Sequence, residues 1–350
     1  METTTKKINK FENINFFIFA LLSACLTIYL IGPNNVWFNQ TNWLYGVGDL
    51  TNSQLSWQYF QHDKWQFPLG KNPNYGLEIA NSIVYTDNIP LFALFFKLLG
   101  SIIYKKFQYF SLWVFLCFFL QLSFSYILLN KIIKNKVFSF FLSFLFLLFP
   151  FLFFRLGHHF SLGAHWLILY SFYIAYFIDN RNKSFHWVIL ITLSLLIHLY
   201  FTVMIFIIYL FFLLEDILKN KDLKILKNLF LIIVYSLILM YVIGYFESSP
   251  VNSVSRGYGI YKIDLFSFFD PKISEAMSWS YFLPDLNVTN LEGFTYIGLG
   301  NLIIIFLALL IVIINLIFKK ANNNNFKIIR FANLYIPFFL VWSLTTNLSV

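Results

Sequence analysis

The chain has 350 residues, 59% of them hydrophobic and only 12% charged, with a mean hydropathy of +0.69. No ordinary water-soluble domain approaches that balance, so soluble enzymes and soluble binding modules are excluded. The formal charge of +9 rests on 25 Lys/Arg against 16 Asp/Glu; its clustering at the ends of apolar runs speaks for a membrane protein and against a nucleic-acid partner.

At the N-terminus, Lys6, Lys7 and Lys10 precede an apolar run over 14–32 with no small-residue cleavage site, which predicts an uncleaved first span. Further runs long enough to cross, or nearly so, cover 107–129, 137–154, 161–178, 185–199, 200–215, 228–246, 297–318 and 330–347. They predict an all-α polytopic membrane protein, a single integral membrane domain over 1–350 with about nine transmembrane helices. The apolar segment 89–104 is shorter and opens at Pro90, so it is expected to be re-entrant or juxtamembrane. If it does not cross, segments 1–13, 130–136, 179–184, 216–227 and 319–330 share one side and hold 16 of the 25 Lys/Arg. That bias predicts a cytoplasmic N-terminus, with outer loops over 33–88 and 247–296. Cys25 and Cys117 both fall inside spans, so neither a disulfide nor a cysteine metal cluster is expected. The chain stops directly after its ninth apolar run, which is expected of a piece truncated at the C-terminus.

In a chain this poor in charge, acids just beyond a span are the first candidates for chemistry. Asp49 follows Gly48 in the first outer loop. Its carboxylate could serve as general base or hold a divalent cation that steadies a phosphate. The plainer reading is a helix cap ahead of Gln54, Trp57 and Phe60. Asp87 stands in TDNIP just before the segment 89–104, where an N-cap is the ordinary role and an anion site at the helix start is the functional one.

The stretch RLGHHFSLGAHW (155–166) is the second informative one. Gly157 permits a turn there, and His158 and His165 would share a face if a helix began near His158. Arg155, His158, His159 and His165 together could hold a phosphate or pyrophosphate, or simply meet water and headgroups. The spacing is not that of a metal site, and no metal ligand is assigned. His198, in LLIHLYF, is either a helix–helix hydrogen bond or a site residue. Arg256, flanked by Gly257, could close over an anionic headgroup or belong to an ordinary turn. Trp57, Tyr59, Trp65, Phe67 and Tyr75 could stack on sugars, although an interfacial aromatic belt is the better account.

Gly48-Asp49, FPLGKNPNYGLEIANSIVYTDNIPLFALFFKLL, GHHFSLGAHWLIL and LEGFTYIGLG together resemble an uncharacterised family of bacterial multi-pass membrane proteins. That family is in turn similar in layout to the C-type membrane glycosyltransferases, which use polyprenyl-phosphate sugars. The resemblance implies that Asp49 occupies the place of their first-loop acid, and that 155–159 lies where they often set a second catalytic or phosphate-contacting group. Many of those enzymes carry an acid after span three, whereas this chain has Arg155 and histidines, which leaves divalent-metal dependence open.

The resulting expectation is an inverting glycosyltransferase-like protein of the bacterial inner membrane, acting on the extracytoplasmic face. Its partners would be a polyprenyl-phosphate sugar, membrane lipid and a glycan or lipid acceptor. Asp49 and Asp87 would be catalytic; Arg155, His158, His159, His165 and Arg256 would bind the phosphate. A flippase or transporter of lipid-linked saccharide and a non-catalytic envelope-assembly protein are the alternatives. The near absence of polar residues from the spans, apart from His198 and Gln121, argues mildly against transport.

Overall fold

Apolar runs in a chain without nearby water close their backbone hydrogen bonds internally, and the outcome is helical. The computed structural model describes residues 2–46, 48–75, 81–100, 106–220, 225–247, 265–274, 277–286 and 294–317. Among them eleven α-helices form. These are α1 (Glu2–Ile31), α2 (Gly48–His62), α3 (Pro90–Leu99), α4 (Phe110–Ile133), α5 (Lys136–Leu147) and α6 (Pro150–His158), followed by α7 (Trp166–Phe177), α8 (Asn180–Ile197), α9 (Leu199–Asn220), α10 (Ile225–Ile243) and α11 (Leu299–Ile317). Two short antiparallel pairs complete the described structure: β1 (Lys71–Asn72) with β2 (Asn81–Ser82), and β3 (Lys272–Ser274) with β4 (Met277–Ser278).

Four stretches, Asn13–Ile31, Phe110–Ile133, Leu199–Leu218 and Leu226–Ile243, are long and apolar enough to cross a membrane, and the bent pair α5–α6 would make a fifth. Shorter apolar helices cover Pro90–Leu99, Trp166–Phe177, Lys183–Ile197 and Leu299–Ile311. Two expected spans are thus interrupted. The run 137–154 breaks before Pro150, which cannot donate the next helical hydrogen bond, and the two halves meet at 49°. The run 161–178 becomes helical only at Trp166, after a 3-10 turn over Phe160–Gly163. Helix α3 has ten residues and rises about 15 Å, half the hydrocarbon thickness, so it does not cross alone. The expected span 330–347 lies outside the described residues.

The chain falls into two compact units, Met1–Leu147 with Leu152–Asn252, and Leu148–Phe151 with Ser253–Val350. In the first, α4 is the central post, packed on α1, α5 and α7, while α8 packs on α7, α9 and α10. Close approach of α5 to α4 uses small residues: Ser139 and Ser143 are buried one turn apart, while Phe138 and Phe141 point outward. Phe19 of α1 joins this seam, stacked on Phe140 at 5.4 Å and edge-on to Tyr126 at 5.8 Å.

The described segment 48–75 is anchored to the helices. Helix α2 rests on α3, and Trp57 donates its indole N–H to the Phe107 carbonyl at 2.9 Å. Leu69 and Gly70 donate backbone hydrogen bonds to Val242 and Ile243 at the end of α10, at 2.8 and 3.0 Å. A Cβ on Gly70 would stand 2.2 Å from the Ile243 oxygen, so only glycine permits this approach.

Candidate functional site

Between α2, α6, α9 and the link into α3 lies a cleft of about 300 Å³, large enough for a small polar ligand. Asp49 enters it from the first turn of α2, where a carboxylate suits the positive end of the helix. His159, the residue after α6, presents Nδ1 at 3.5 Å from Asp49 Oδ2. The aspartate side chain is 54% exposed and the imidazole 20%, so their pair sits at the cleft mouth rather than in the core.

Asp87 reaches the same cleft from the 86–89 link. Ser161 holds its Oδ1 with both the backbone amide, at 3.1 Å, and the hydroxyl. Oδ2 is shut off from solvent and has no hydrogen-bond partner among the described residues. Burial therefore pushes this carboxyl up to about 6, against the opposing pull of the Ser161 hydroxyl, His159 and the Ser161 amide; the Asp49 charge adds to the rise. Asp87 thus keeps its proton to a higher pH than an ordinary carboxylate, whereas Asp49 is half exposed.

The link that carries Asp87 is strained. Asp87 has φ 55 and Ile89 φ 50. Aspartate tolerates the left-handed region, but a β-branched side chain does not, at a cost of order 1–2 kcal/mol. A buried polar cluster holds the link in place. Ser56 Oγ donates to Thr86 Oγ1 at 2.8 Å, Asn88 Nδ2 donates to Ser56 Oγ at 2.8 Å, and Asn72 Nδ2 donates to the Ser56 carbonyl at 2.9 Å. The Tyr109 hydroxyl closes on the Asn88 carbonyl. Such concentrated strain, held by a buried polar network, is typical of functional positions.

His198, between α8 and α9, also lines the cleft. The Tyr200 amide donates to its Nδ1 at 3.1 Å, so the neutral ring carries its proton on Nε2 as a donor. Tyr85, Tyr200 and Tyr245 add aromatic walls. The Tyr85 hydroxyl donates to the Tyr245 carbonyl, and Tyr245 in turn donates to the Leu195 carbonyl at 2.7 Å.

The remaining sequence candidates are placed differently. Gly157 lies inside α6 instead of making a turn. His158 ends that helix and His165 precedes α7, so the expected common helix face does not form. His158 is exposed, its Nδ1 3.0 Å from the Phe154 carbonyl, and the His165 ring lies 6.1 Å from Phe201. Arg155, His158 and His165 are not among the described residues lining the cleft, although the Arg155 charge is felt at His198. Arg256 lies outside the described residues. No group of three His, Cys, Asp or Glu set to hold a metal occurs among the described residues.

Sequence reasoning missed Ser161, Tyr85, Tyr200 and Tyr245. The only local hint was their place beside the segments already singled out. Two carboxylates, one hydrated and one buried, with two imidazoles on one cleft, can accept a proton from a hydroxyl and donate hydrogen bonds to an anion.

No curated protein and no solved structure matches the chain. A family model described as a domain of unknown function, DUF6311, matches residues 20–350, nearly the whole chain, and the protein therefore belongs to the DUF6311 family.

Proposed function

We propose that this protein transfers a sugar from a polyprenyl-phosphate donor to an acceptor hydroxyl at the extracytoplasmic face of the bacterial inner membrane. In this reading it is a C-type glycosyltransferase with about nine spans and a cytoplasmic N-terminus, its shorter apolar helices completing the set. The observation that carries the reading is the convergence of Asp49, Asp87 and His159 on one cleft in a protein with so few charges. A second feature agrees with a lipid-borne donor. Leu199 and Tyr200 line the cleft, and Val203, Leu210 and Leu214 continue down the same helix as exposed apolar side chains on which a polyprenyl tail can lie.

The acceptor oxygen attacks the anomeric carbon as the carbon–oxygen bond to phosphate breaks. The bonding pair leaves with the phosphate, and the acceptor proton passes to the Asp49–His159 pair. The Nε2–H of His198 and, from a distance, Arg155 offset the charge on the leaving phosphate, the main task of the protein in such a displacement. Asp87 assists from the cleft wall, where Ser161 holds it.

The test is complementation of a strain lacking the gene, reading surface glycan and lipid-linked sugars. Asp49→Asn should reach normal levels in the membrane, fail to restore the glycan and accumulate polyprenyl-phosphate sugar. Normal glycan in that variant overturns the mechanism. Donor trapped on the cytoplasmic leaflet of the deletion strain would favour a flippase.

A further inference from the structure

In the second unit, the segment 265–286 has an inside-out pattern. Ser267 and Asp270 are fully buried, while their neighbours Phe266 and Phe269 are 62% and 50% exposed. Tyr281 and Phe282 are exposed to 94% and 89%, and Trp279 to 39%. A loop surrounded by water is expected to show the reverse. An exposed aromatic patch of this kind marks a surface meant to meet something apolar.

Its attachments say what that is. Ser267 and Thr295 hydroxyls are 2.7 Å apart, and the Ile297 amide donates to the Phe268 carbonyl at 3.2 Å. The patch is therefore tied to the two or three residues that lead into α11. Helix α11 holds no charged residue, and Ile303, Ile304, Ile305, Phe306 and Leu307 are all 45–61% exposed in succession. A helix that exposes apolar side chains at five successive positions, and so on every side, is suited to lipid. With α11 in lipid, residues 265–274 and 277–286 stand at the level where that helix begins.

Charge settles which property of the bilayer it meets. Lys272 is paired with Asp285, and the segment's other charges, Asp270 and Glu275, are acidic. Nothing in it would seek an anionic headgroup. Tyr, Trp and Phe on a neutral-to-acidic loop are the side chains that settle at the boundary between headgroups and acyl chains.

We propose that the β3–β4 hairpin and the following turn, with Tyr281 and Phe282 at its tip, form an apolar anchor inserted into the lipid interface beside α11. The turn is built for it: the Phe282 amide donates to Ser280 Oγ at 3.2 Å, and Ser278 Oγ donates to the Ser280 carbonyl at 2.9 Å. This rests on α11 lying in the membrane and not on the transfer reaction, so it stands or falls separately from it.

The experiment uses the full chain with Cys25→Ala and Cys117→Ala, carrying Phe282→Cys or, separately, Tyr281→Cys, labelled with an environment-sensitive fluorophore. The protein is reconstituted in phosphatidylcholine vesicles with and without phosphatidylglycerol. Insertion predicts blue-shifted emission at both positions, quenched by lipids bearing a nitroxide high on the acyl chain and little affected by iodide, equally in both compositions. Quenching by iodide alone would show a tip in water and overturn the proposal. Protection from both quenchers would show a protein covering it, and dependence on phosphatidylglycerol would show charge recognition; either result overturns it as well.

Discussion

Ser161 grips Asp87 across 74 residues of sequence, its amide and its hydroxyl both donating to Oδ1. The other oxygen, Oδ2, is buried without a partner among the described residues, and burial pushes the carboxyl up to about 6. Because the usual value is 3.8, the folded protein binds more protons than the unfolded chain between those two values. Stability from this group is thus fully present below about pH 4, falls as pH rises towards 6, and is level above, a change on the order of 3 kcal/mol. Asp87→Asn removes the dependence. In detergent, the melting temperature of the protein minus that of Asp87→Asn should fall across pH 4–6 and then stay constant; a flat difference contradicts the assignment. Ser161→Ala, which removes a hydrogen bond to the charged form, should extend the falling limb to higher pH.

The Asp49–His159 pair calls for the opposite expectation. With the aspartate 54% exposed, their coupling in a double-mutant cycle of thermal stability should be small, about 0.2–1 kcal/mol. Asp49→Asn should therefore fold normally, and lost glycan in that variant reports on chemistry. A coupling of several kcal/mol would instead make Asp49 a structural residue.

The cluster under the strained link should behave as one unit. Asn88→Ala leaves Ser56 and Thr86 short of a donor in a buried setting and should cost roughly 1–3 kcal/mol, as should Ser56→Ala. The double variant should cost less than the two together, because both remove the same bond. Simple additivity would show that the cluster does not act through that shared contact.

Two glycines give a paired steric test. Gly70→Ala sets a methyl 2.2 Å from the Ile243 carbonyl, a backbone atom that cannot turn aside, and should cost roughly 1–3 kcal/mol. Gly157→Ala lies near the end of α6 with nothing within 4 Å of its Cβ and should be neutral or stabilising by up to about 1 kcal/mol. Thermal melts of the two variants check both signs.

The helical layout is legible in the sequence where a long apolar run meets charged ends, as at α1, α4, α9 and α10. Breaks inside such runs are less so. Pro150 stands in plain view, but the greasy residues on both sides of it read as one span. The site is legible in part for a related reason. Asp49, Asp87 and His159 stand out because they are charged or titratable in a chain nearly bare of such groups. Ser161 and the three tyrosines do not, since hydroxyls are common and nothing periodic records a partner 74 or 160 residues away. The left-handed backbone at Ile89 is likewise invisible, because no rule of composition puts a β-branched residue there.

Gly70 and Ile243 meet through their backbones, yet they are made far apart in time. As the chain leaves the ribosome, the segment from α2 to Tyr85 is finished while everything from α3 to α10 is still to come. Its hydrogen bonds to Val242 and Ile243, and that of Tyr85 to Tyr245, have no acceptors until α10 is complete. The part of the protein synthesised early is therefore among the last to settle. A nascent chain halted between residues 160 and 244 would carry both aspartates and His159, but not Tyr245, which completes the cleft around them.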